Sequence, residues 1–142
     1  MTPVSARFLR RTIVSICLLS CAAVCGCQKH SSNAVTVSAQ DAARKNPVEA
    51  SPASIEQGRK LYDSSDCAIC HGKSGDGKGV LAKDINMNTH NWHDAQALST
   101  LTDGELFFML AKGKGRMPGY EKRQTPDQMW QMVDYIRALG SK

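Results

Sequence analysis

Aromatic residues are scarce: three Phe, three Tyr and two Trp make up 6% of the 142 residues. A core drawn from so few large side chains is thin, and a small domain with a thin core needs a staple. No apolar run reaches the roughly 20 residues that carry a helix across a bilayer; the stretch nearest to one, residues 12–24, falls short. A spanning helix is thereby excluded. No internal repeat occurs, which excludes a solenoid. No strand-length alternation with hairpin turns occurs either, which leaves an all-α domain. Nothing resembles a catalytic acid–base constellation, so the chain is not expected to be an enzyme by itself. Its length admits one domain with accessories rather than two separate cores.

The formal charge of +5 suggests a nucleic-acid or membrane-surface binder until its source is traced. Arg7, Arg10 and Arg11 stand without an acid before the apolar stretch, the pattern of a secretory signal over residues 1–26. Without it, fifteen basic residues face thirteen acidic ones, and the nucleic-acid reading loses its support. Four of the six cysteines, at 17, 21, 25 and 27, lie in or at the end of that signal. Val24-Cys25-Gly26-Cys27 resembles a bacterial lipobox, in which a cysteine is lipidated and becomes the new N-terminus. Cys27 is the expected site because polar Gln28-Lys29-His30 follows at once; Cys21, after Leu18-Leu19-Ser20, is the alternative. A lipid chain anchors without spanning, at about 0.8 kcal/mol per buried methylene. The expected location is the periplasmic side of a bacterial membrane, lipid-anchored, or otherwise the periplasm.

Residues 27–53 are polar and small, with Pro47 and Pro52 and no sustained apolar period, and read as a flexible tether. The domain follows over residues 54–142. Three helix starts carry the capping-box pattern: Ser54-Ile55-Glu56-Gln57, Thr102-Asp103-Gly104-Glu105 and Thr125-Pro126-Asp127-Gln128. Ile55, Gly58, Leu61 and Tyr62 form one helical stripe; Met129, Met132, Val133, Ile136 and Leu139 form another, with Gly140 as its stop. Leu106, Phe107, Met109 and Leu110 supply a short helix between them, ending near Gly113.

The staple is Cys67-Ala68-Ile69-Cys70-His71. Two thiols three apart with histidine directly after them fit covalent c-type haem attachment. On a helical turn both sulfurs share one side and reach the two vinyl-derived carbons as thioethers, while His71 falls under the iron. A thioether on the other face excludes water and raises the potential relative to a second histidine. Met117-Pro118, in the glycine-punctuated loop 113–120, supplies it. Other readings of the same residues are a thioredoxin-like pair, which lacks its βαβ setting, and a zinc site. Zinc would take Cys67, Cys70, His90 and His93, but their spacing fits poorly and leaves His71 and Met117 without a role. A bis-histidine haem through His90 or His93 is a further option. Met109, Met129 and Met132 sit at helical spacing and read as core; Met87 and Trp92 stay undecided.

The cysteine–histidine motif, Gly72, Gly75, Gly77 and Gly79, then 102–106, 113–118 and 130–139 in this order, resembles a small class I cytochrome c, similar to single-haem bacterial periplasmic domains and oxidase-associated subunits. The resemblance implies a cytochrome c fold of three to five short helices around one haem c, with terminal helices that cross where Gly58 and Tyr62 meet aromatic residues near Trp130 or Tyr135. It implies iron ligands His71 and Met117. The implied role is one-electron transfer between periplasmic or membrane-bound redox partners, a respiratory complex among them. A labile Met117 would instead leave iron open to small ligands or peroxide. Lys112, Lys114, Arg116, Lys122 and Arg123 around the Met117 loop are candidates for steering an acidic partner. Residues 82–99, with Met87, His90 and His93, depart from the family pattern.

Overall fold

The computed structural model describes residues 36–141. Among them lie seven helices: α1 (Ala39–Ala42), α2 (Pro52–Ser64), α3 (Cys67–His71), α4 (Val80–Asp84), α5 (Ala95–Ser99), α6 (Asp103–Lys112) and α7 (Pro126–Gly140). The all-α expectation holds, and Lys114 and Met117 form an isolated bridge rather than a strand. The count exceeds the expected three to five because α1, α3, α4 and α5 have at most five residues each. A single turn is too short to show a periodic stripe.

Capping chemistry sets the longer helices. Thr102 and Thr125 form complete capping boxes with Glu105 and Gln128, as their spacing predicts. The first box does not form. Ser51 caps α2 instead, accepting from the Ser54 amide at 3.1 Å, because Pro52 takes the first helical position. Ser54 is left buried inside the helix. Gly140 is the last residue of α7 rather than its stop, with Ser141 as the C-cap.

α2 and α7 cross at Gly58, where a β-carbon would run into the Gln131 carbonyl. Beside the crossing Tyr62 meets Tyr135 edge-on, centroids 5.4 Å apart. α6 lies against α7 through the stacked pair Phe107–Trp130, 4.2 Å apart. Arg137 of α7 donates to Asp103 and to the carbonyls of Leu98 and Leu101, tying the end of α5 to the start of α6.

The segment read as a tether is docked onto this frame from Ser38 onward. The Arg44 guanidinium lies 4.3 Å from the Phe107 ring centroid and 5.5 Å from that of Trp130. Asn46 donates to the Asp134 carboxylate at 2.7 Å, and Ser54 donates to its other oxygen. Thr102 donates to the Ala42 carbonyl at 2.7 Å. Cation–π and polar contacts hold this strap, so it needs no apolar stripe of its own. The expected signal and its cysteines lie outside the described residues. Among the described residues no helix is long and apolar enough to cross a membrane.

Candidate functional site

A left-handed turn opens the site. Asp66 adopts φ 61°, a conformation that aspartate tolerates, and the chain swings into α3. Cys67 is buried, its sulfur 3.9 Å from the Ser65 carbonyl, and burial pushes its thiol up to about 11. It is therefore a protonated thiol at neutral pH, protected from casual oxidation. Cys70, three residues on, is half-buried on the same short helix. The turn after α3 bonds back to it: the Gly77 amide donates to the His71 carbonyl at 2.8 Å and the Gly79 amide to that of Cys70 at 3.1 Å. Two tyrosines pin the flanks. Tyr62 donates its hydroxyl to the Gly72 carbonyl at 2.7 Å and Tyr120 to the Ser65 carbonyl at 3.0 Å. Burial raises the hydroxyl pKa of both, that of Tyr120 to about 12, so both remain donors.

His71 Nδ1 is buried without a hydrogen-bond partner. Burial, and then the nearby His90, hold its pKa below the ordinary histidine value. The imidazole is neutral, the form that binds metal. Trp92 stacks on it with centroids 5.4 Å apart, which local spacing had left undecided.

Met117 comes from a separate segment, the loop that follows α6. α6 ends at Gly113, whose φ of 80° and close approach to the Met117 carbonyl exclude a β-carbon. Reciprocal amide–carbonyl bonds of 3.1 and 3.0 Å join Lys114 and Met117. The Tyr120 and Glu121 amides then bond back to the Leu110 and Ala111 carbonyls. The loop is thus fastened at both ends, and Met117 packs partly buried against the core.

Cys67, Cys70, His71 and Met117 all line one cavity of about 820 Å³. Leu106, Met109, Leu110, Met132 and Ile136 form its apolar wall, so Met109 and Met132 serve both core and cavity. Met87, His90 and Trp92 line it as well. His93 does not; its Nε2 lies 2.9 Å from the Ser74 carbonyl. Among the described residues no group of three or more His, Cys, Asp or Glu is placed to hold a metal ion, so the zinc arrangement does not assemble. Of the basic residues around the loop, Lys112 pairs with Glu121 at 2.6 Å and Arg123 lies over the Tyr120 ring. Lys114 and Arg116 stand at the cavity. Tyr62 and Tyr120 carried no functional signal in the sequence, because their acceptors are backbone carbonyls.

Two thiols on one turn, a neutral imidazole with a buried unpartnered nitrogen and a thioether in a fastened loop, around an apolar cavity, fit a covalently held iron porphyrin. Comparisons with known proteins agree. No curated protein matches the chain significantly. Among solved structures, a chain of the Kuenenia stuttgartiensis reducing HAO-like protein complex is similar in fold, with a TM-score of 0.56 and 21% identity over 66% of this chain. The match spans 46% of that chain's length. The family that matches residues 53–136, more than half of the sequence, is described as cytochrome c oxidase, cbb3-type, subunit III. The chain belongs to this family and is a small c-type cytochrome that carries covalently bound haem c.

Proposed function

We propose that the protein is a single-haem electron carrier in which Cys67 and Cys70 would provide the thioether bonds and His71 and Met117 would bind the iron. The observation that carries this reading is the convergence of these four side chains, from two separately fastened segments, on one apolar cavity. The haem supplies reversible one-electron exchange. The chain supplies the rest. The α3 turn fixes His71, the Gly113 loop holds Met117 where water would otherwise bind, and Leu106, Leu110 and Ile136 keep the surroundings apolar, which favours the ferrous state.

The partners are redox proteins, and the family's description as an oxidase subunit supports a membrane respiratory complex among them. Lys114 and Arg116 at the cavity supply positive charge to steer an acidic docking face. Export, lipidation at Cys27 (or Cys21) and a periplasmic location complete the proposal, resting on the signal and lipobox pattern.

The test is an absorption spectrum of periplasmically expressed protein, oxidised and reduced, repeated for Met117→Ala and Met87→Ala. Wild type is low-spin with a sulfur–iron charge-transfer band; Met117→Ala loses that band and gains rapid carbon monoxide binding, whereas Met87→Ala keeps it. A band that survives in Met117→Ala and vanishes in Met87→Ala would overturn the ligand assignment.

A further inference from the structure

Three rings stand in file along the cavity lining. Trp92 lies between His71, at 5.4 Å and 25° between planes, and His90, at 5.0 Å and 18°. Both pairs fall in the range of favourable ring contacts. Trp92 is buried, and its Nε1 has no hydrogen-bond partner, so ring contact and backbone rather than an indole bond set its place. Its amide donates to the Gly75 carbonyl at 2.8 Å, and the Thr89 hydroxyl donates to the Gly77 carbonyl at 2.7 Å. These bonds fasten the loop that carries Trp92 and His90 to the turn following His71. His90 is exposed and ends the file at solvent. Haem attachment needs neither Trp92 nor His90.

Resting on the reading of His71 as an iron ligand, we propose that Trp92 and His90 form an electron outlet on the histidine side of the haem, serving a one-electron redox partner that docks over His90. Rings in van der Waals contact couple two sites better than the same distance filled by solvent. In each transfer one electron leaves ferrous iron and reduces the partner, or the reverse. No bond in Trp92 or His90 forms or breaks, and no proton moves.

The test uses the haem protein with a ruthenium polypyridyl photosensitiser on one surface histidine. His30→Gln with His93→Gln leaves His90 for labelling, and His30→Gln with His90→Gln leaves exposed His93. Flash-induced electron transfer to the haem is then timed in each background with Trp92, Trp92→Phe and Trp92→Leu. The expected result is that Trp92→Leu slows the His90 route severalfold, Trp92→Phe restores most of the rate, and the His93 route is unchanged. Equal slowing of both routes, or of neither, overturns the outlet and reduces Trp92 to a prop for His71. Trp92→Met, flexible and apolar, replaces Trp92→Leu if the latter does not accumulate. Proton NMR of the unlabelled ferrous protein supplies a readout independent of rate: the His90 ring protons are shifted upfield by Trp92 and relax in the substituted protein. No shift in wild type refutes the stack. Colourless protein sinks the haem reading itself, whereas a normal spectrum with insensitive rates sinks only the outlet.

Discussion

Replacing Gly58 with alanine perturbs the crossing that sets the back of the site. The added β-carbon would fall on the carbonyl group of Gln131 and 2.9 Å from the Tyr135 β-carbon. Two of these atoms are backbone and the third is the root of a side chain, so no rotamer change relieves the overlap. α2 and α7 must separate. A gap of about 0.5–1 Å forfeits a quarter to a half of each dispersion contact across it, and Tyr62 meets Tyr135 there. Overpacking of this kind costs about 1–3 kcal/mol, and backbone obstruction puts Gly58 toward the upper end. Alanine returns about 0.5–1 kcal/mol through helix propensity. The net loss is about 2 kcal/mol, a fall in Tm of about 8–16 °C for a domain this small. The same displacement draws Met132 and Ile136 away from the cavity they line, admitting water and lowering the reduction potential. Far-UV circular dichroism of the oxidised haem protein during heating measures the first effect, and a redox titration measures the second. A Gly58→Ala protein that melts at or above the wild-type temperature refutes the close crossing.

Two more expectations concern the strap. Burial raises the pKa of Asp134 while Ser54 and Asn46 pull it back. A carboxyl raised on folding contributes fully below its unfolded pKa and loses that contribution as pH climbs through the folded value. Wild type therefore loses stability from about pH 4 upward through this group, and Asp134→Asn flattens the slope of urea midpoints between acid and neutral pH; an unchanged slope counts against the assignment. Arg44→Ala removes the cation–π contact with Phe107, a loss of about 0.5–2 kcal/mol. Amide exchange then accelerates around Ala39–Ala42 and Asn46 but not at the α2–α7 crossing, and uniform exchange would mean that Arg44 does not hold the strap.

The parts legible in sequence were those written in local chemistry. The cysteine–histidine spacing, the Met117 loop and the boxes at Thr102 and Thr125 each depend on residues a few positions apart, and each appears where its spacing puts it. The box at Ser54 failed because its competitor, Ser51 followed by Pro52, starts the helix one turn earlier and leaves Ser54 inside it. The strap was illegible for the opposite reason. Asn46 finds Asp134, Arg44 finds Phe107, and neither partner is near in sequence. Trp92 on His71 is likewise a tertiary contact, created by the turn that bonds the Trp92 amide to Gly75. Met109 and Met132 obey helical spacing and still face the cavity, so periodicity alone could not separate wall from core.

The scarcity of aromatic residues acquires a physical meaning once the cavity is in view. Tyr62, Trp92, Phe107, Tyr120, Trp130 and Tyr135 are all buried, and Tyr62, Trp92 and Tyr120 spend their rings on the cavity. Leu106, Met132 and Ile136, among the most buried apolar side chains, lie on that wall too. Core and site therefore share one surface, and the haem is part of the core rather than a guest in it. Left unfilled, the 820 Å³ would leave that wall wetted or without packing partners, a loss that weighs heavily against a total stability of about 5–15 kcal/mol for a typical domain. A group of that weight cannot be left to exchange with solvent whenever the helices open. The two thioether bonds proposed at Cys67 and Cys70 would keep it with the unfolded chain, so closing α2 on α7 would bring it back to the same wall, which a binding equilibrium alone would not guarantee.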